Sequence, residues 1–86
     1  MEERLRSKEL VGKILISEET GKKFGVVGDL DYIIESGELL NLVLVEPTKH
    51  ISDLNLREDD KGRILVPFSS VKSVGDFIIV SESDII

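Results

Sequence analysis

Phe24-Gly25-Val26-Val27-Gly28-Asp29 decides how this chain folds, because two glycines interrupt an aliphatic run of strand-forming residues. Glycine inside a strand marks a bulge, a sharp bend or the close approach of another backbone, so a strand punctuated twice implies strong curvature. Upstream lies a second aliphatic burst, Leu10-Val11-Gly12-Lys13-Ile14-Leu15-Ile16. The polar stretch Glu18-Glu19-Thr20-Gly21-Lys22-Lys23 separates the two, and its Gly21 can take the positive φ of a hairpin turn. Downstream, Tyr32 to Ile34 is followed by a second turn at Glu35-Ser36-Gly37-Glu38. Then comes Leu39-Leu40-Asn41-Leu42-Val43-Leu44-Val45, apolar at six of seven positions and therefore expected at the centre of the core.

Two further bursts, Ile64 to Phe68 and Phe77 to Val80, bring the expected strands to six. Residues 46–62 break the pattern. They open on Pro47, close on Arg57-Glu58-Asp59-Asp60-Lys61-Gly62, and hold Ile51, Leu54 and Leu56 at a spacing that fits a helical turn or a strand equally well. Six short, twisted strands in 86 residues are best satisfied by curling the sheet until its ends meet, which also protects the edges. The expected fold is thus all-β: a small, closed or partly open six-stranded β-barrel with at most a short helical turn. Side chains fill the interior of so small a barrel, so function is expected on its surface. One domain is expected, with residues 1–9 as an N-terminal arm, 10–81 as the barrel and 82–86 as a C-terminal tail.

Composition narrows the chemistry. Seventeen acidic residues against eleven basic give a formal charge of -6, which opposes binding to phosphate backbones. With no Cys there is neither a disulfide framework nor a thiolate metal site nor a cysteine nucleophile. No apolar run approaches the ~20 residues that span a bilayer, and the first residues lack the apolar segment of a secretion signal. A cytoplasmic location is the expectation.

Three segments resemble the PRC-barrel family, a β-barrel named after the cytoplasmic part of a photosynthetic reaction-centre subunit. They are Leu10-Val11-Gly12-Lys13 with Thr20-Gly21; Gly25-Val26-Val27-Gly28-Asp29-Leu30; and the run from Val66-Pro67-Phe68-Ser69 through Gly75-Asp76 to Val80. The resemblance covers about Leu10 to Ser81. It implies that Val66-Pro67-Phe68-Ser69 leads through a short turn into a closing hairpin turned at Gly75-Asp76. Lacking the transmembrane helix of the reaction-centre subunit and the second domain of a ribosome-maturation factor, the chain looks most like the small stand-alone archaeal members. These include adaptors of cell division. The resemblance therefore implies a non-enzymatic adaptor that associates with itself or a related PRC-barrel, and with the membrane-tethering protein of the division ring. The other branch implies an accessory role in ribosome assembly or RNA processing through protein contact.

No constellation of side chains competes with that expectation. His50, the sole histidine, would need a nucleophile and an orienting carboxylate to act as a base, and carboxylates alone to complete a zinc site. Asp53-Leu54-Asn55-Leu56-Arg57-Glu58 begins like a calcium loop but places Arg57 at a ligand position, Glu58 at the turn glycine and Ile64 at the bidentate acid. Gly21, Gly25 and Gly28 do not fit a dinucleotide fingerprint, and Thr20-Gly21-Lys22-Lys23 lacks the rest of a phosphate loop. The bases Arg4, Arg6, Lys8, Lys22 and Lys23 alternate with Glu2, Glu3, Glu9, Glu18 and Glu19, so their charges cancel. No cofactor or metal is expected.

The candidate binding residues are instead apolar. Leu30, Tyr32, Ile33 and Ile34 crowd together more closely than strict alternation allows, so some must face outward. If Leu40, Leu42 and Leu44 face in, Leu39, Val43 and Val45 face out. After a polar stretch the chain carries Ile85 and Ile86, which either fold back on the barrel or dock on a partner. Leu30, Tyr32, Ile34, Leu39, Val43, Val45, Ile85 and Ile86 are the expected partner-binding set, serving a protein partner or a second copy about a two-fold axis.

Overall fold

A computed structural model describes residues 7–85. The chain is an all-β protein, with helix confined to one turn, α1 (Ser7–Leu10), and three short 3-10 turns. Its strands are β1 (Ile14–Ser17), β2 (Lys23–Tyr32), β3 (Leu39–Val45), β4 (Arg57–Glu58), β5 (Ile64–Pro67), β6 (Val71–Val74) and β7 (Phe77–Val80). They form one sheet in the order β4-β5-β3-β2-β1-β7-β6. Every ladder is antiparallel except that between β1 and β7.

Among the described residues there are seven strands, where the sequence pattern predicts six. Tyr32 to Ile34 is not a strand of its own: β2 runs unbroken through Asp29 to Tyr32, and Ile34 lies in the turn beyond it. Residues 46–62 supply both the alternatives left open, a 3-10 turn at Lys49–Asp53 and the two-residue strand β4. Between Pro67 and the final hairpin, Val71-Lys72-Ser73-Val74 forms β6.

Chain continuity requires that this sheet curl. Five ladder steps separate β5 from β6, which is about 24 Å across a flat sheet at ~4.8 Å per step. Yet only the 3-10 turn Phe68–Ser70 joins them, and its Cα–Cα links from Pro67 to Val71 reach at most about 15 Å. The ladder itself does not close, and β4 and β6 remain its two edges.

Two bulges help bend it. The β1–β2 register slips at Phe24, beside Gly25, and the β2–β3 register slips again at Gly28, so Phe24 and Val27 both turn inward although they are three apart. Gly25 has φ 156°, and a Cβ there would lie 2.9 Å from Leu44 Cδ1 and 3.0 Å from the Val45 carbonyl oxygen. Curvature and close backbone approach, both read from the glycines, therefore coincide at this residue. Inside the curl, Leu15, Phe24, Val27, Leu42, Leu44, Val66, Ile78 and Val80 meet in one buried cluster, with Leu10 of α1 joining from one end.

A third register slip lies between Asp31 and Tyr32, opposite Leu39 and Asn41. It reverses the expected phase at the start of β3. Leu39 packs against the core, whereas Leu40 is 46% exposed.

Candidate functional site: two apolar surfaces

The C-terminal tail is fastened by a reciprocal pair of carboxylates. Glu19, in the turn between β1 and β2, accepts hydrogen bonds from the backbone N–H of Glu82 (2.8 Å) and the Ser81 hydroxyl (2.8 Å). Glu82 in turn accepts from the hydroxyls of Ser17 (2.5 Å) and Thr20 (2.8 Å). The Glu82 N–H, then the Ser81 hydroxyl, hold the Glu19 carboxyl at about 2. The hydroxyls of Ser17 and Thr20 likewise lower that of Glu82. Lys72 adds an ion pair to Asp84 at 2.7 Å. This clasp seats Ile85 against the core, 9% exposed.

The expected binding residues therefore divide. Tyr32, Ile34 and Val45 are exposed at 43%, 94% and 40%. Leu30 and Leu39 are not outward, because Leu30 pairs with Leu42 on the inner face and the bulge turns Leu39 inward. Ile85 is seated against the core by the clasp and also lines a groove at one end of the curl. Val43 keeps the outward phase but is 2% exposed. Arg63, just before β5, reaches Asp29 on β2 at 3.3 Å, and this ion pair spans the outer side of β3 beside Val43. Ile86 lies outside the described residues, as do Arg4 and Arg6 of the N-terminal arm.

Two surfaces emerge in their place. On the convex side, ladder partners align Val45, Val26, Ile14 and Phe77 in one row across β3, β2, β1 and β7. Beside it Ile16 pairs with Ile79. Phe77 is 46% exposed, and no residue of this stripe belongs to the core cluster. Gly28 makes room for it, since a Cβ there would lie 2.5 Å from Val45 Cγ1. Sequence reading misses Phe77, Ile14 and Val26 because cross-strand register, which assembles them, is absent from a linear pattern.

The second surface is a groove of ≈ 730 Å³ at one end of the curl. Ile33, Leu39, Leu40, Leu56, Leu65 and Phe68 supply its apolar lining, with Glu38, Arg57 and Asp84 among the charged residues around it. It opens beside the β2–β3 turn that carries Ile34.

The polar groups singled out for chemistry are dispersed. His50 lies in the 3-10 turn, where its backbone N–H donates to Thr48 Oγ1. Asp59 is bound by the backbone and side chain of Arg63, which lowers its pKa and raises that of the guanidinium. Among the described residues no three His, Cys, Asp or Glu side chains are grouped to hold a metal ion. None of the described helices is long and apolar enough to cross a membrane. No protein-family model matches this chain, and no curated protein matches it significantly.

Proposed function

We propose that this protein is a non-enzymatic interaction module, a PRC-barrel-like curled sheet that associates with itself or with a related barrel through its convex face. The row Val45–Val26–Ile14–Phe77 carries this proposal. A half-exposed aliphatic and aromatic stripe across four adjacent strands is the face that a sheet ordinarily packs on another layer. A two-fold axis through it would set each row against its own copy, giving a self-complementary contact. The adaptor role in cell division, in contact with the membrane tether of the division ring, belongs to the same proposal and rests on the sequence resemblance.

Light scattering at micromolar concentration tests the association. The expected mass lies above that of the 9.6 kDa chain, and the double substitution Val45→Lys, Phe77→Lys should return it to the monomer without loss of β-sheet signal. A wild-type chain that stays monomeric removes the self-association. Affinity capture from the source cell separates the biological settings. Division components favour the adaptor, and ribosomal proteins favour the assembly factor.

A further inference from the structure

Beyond Lys23, its first residue, the β2–β3 hairpin carries charge of one sign only. From Phe24 to Thr48 the chain holds Asp29, Asp31, Glu35, Glu38 and Glu46, and not one Lys or Arg. Two of these acids are engaged along the second half of β2, Asp29 by Arg63 at 3.3 Å and Asp31 by the Asn41 side-chain amide at 3.0 Å. Glu35 and Glu38, at the tip, have no basic partner among the described residues. Just before Glu35, in the turn, Ile34 is 94% exposed, and Ile33 and Leu40 lead from the turn into the groove. Apolar surface and unneutralised negative charge thus share one end of the molecule.

Charge decides what can cover it. Two copies meeting tip to tip would set Glu35 and Glu38 against their own counterparts, and like charges brought together across an interface are strongly disfavoured. A cationic partner gains from the same arrangement. In the groove itself, Asp84 is already paired with Lys72, and Arg57 stands among the lining residues, so the negative excess lies on the hairpin side.

We infer that this groove binds a segment of a different protein, one that places aliphatic side chains among Ile33, Leu40, Leu56 and Phe68 and lysine or arginine over Glu35 and Glu38. The inference rests on the interaction-module proposal and names a second partner for it, at a surface separate from the convex stripe. Affinity comes from the buried aliphatic anchors, and discrimination against acidic or uncharged segments comes from the hairpin.

The test uses three short labelled synthetic peptides: alternating leucine and lysine, the same with glutamate for lysine, and alternating serine and lysine. Only the leucine–lysine peptide should bind the full chain, and its amide chemical-shift changes should map to the hairpin tip and groove. Leu40→Asp, and separately Glu35→Lys with Glu38→Lys, should each weaken it about tenfold, as loss of an anchor or of complementary charge does. These positions are exposed, so circular dichroism should be unchanged. Val45→Lys with Phe77→Lys should bind as wild type. Equal binding of the serine–lysine peptide, shifts mapped elsewhere, or insensitivity to the hairpin substitutions would overturn the inference. Light scattering on the same samples keeps the two proposals apart. A monomer that binds at the groove sinks self-association alone, while a dimer that ignores the peptide sinks the groove alone.

Discussion

Gly25 and Gly28 bend the same strand, but a methyl group added at each meets different surroundings. At Gly25 it would press on buried Leu44 and on the backbone oxygen of Val45, at a φ that side chains seldom adopt. At Gly28 the three nearest atoms it meets all belong to the side chain of Val45, which is half exposed and has room to shift outward. Gly25→Ala is therefore expected to cost about 1–3 kcal/mol, and Gly28→Ala about 1 kcal/mol, measured as shifts in the urea midpoint. Both positions are legible in the sequence, because a glycine set within an aliphatic run weakens a strand unless a bend or a close approach makes use of it. Glu19 contributes to the acid-side pH dependence, together with Glu82 and Asp59, whose carboxyls are also lowered. The Glu19 carboxyl is depressed from 4.5 to about 2 by bonds that exist only in the folded chain. Below pH 4.5 the unfolded chain therefore binds the additional proton. The stabilisation is complete above that value and is lost as pH falls through about 2. Thermal melts across this interval should show a steep loss of stability in the wild type and a shallower one in Glu19→Gln.

Among the elements, the closing hairpin depends most on contacts remote in sequence. β6 is an edge strand with ladder bonds to β7 alone, and its Lys72 reaches forward to Asp84. Ile85 fills the space beneath, so Ile85→Ala should cost about 2 kcal/mol. Hydrogen exchange should quicken first in β6 and β7 while β2 and β3 stay protected. Legibility in the sequence differs sharply by element. β3 is recognisable from its uninterrupted aliphatics, but the phase of its first residues is not, because the bulge at Leu40 depends on how β2 lies beside it. Gly28-Asp29-Leu30-Asp31 resembles a turn, so the linear pattern divides β2 into two pieces. β4 and β6 escape notice because Arg57-Glu58 has no apolar residue and Val71-Lys72-Ser73-Val74 only two, too few for a periodic signal. The clasp that draws in Ile85 is equally invisible, since serines and glutamates near a chain end read as solvated polar residues.

For the whole molecule, composition and turn placement are enough to give the all-β class and the need for curvature. The distribution of exposed apolar surface is not legible in the same way, because the row from Val45 to Phe77 is assembled from four strands and the groove from segments scattered over most of the chain. The parallel ladder of β1 with β7 has a further consequence for synthesis. β1 leaves the ribosome well before one of its two neighbours, β7, from which β2 to β6 separate it in sequence. Until Val80 has emerged, β1 presents an unpaired edge, and the nascent chain lacks Ile78 and Val80 to complete its hydrophobic centre. Closure must follow translation of β7, and pairing between strands so remote in sequence slows folding and leaves unpaired edges open to aggregation meanwhile.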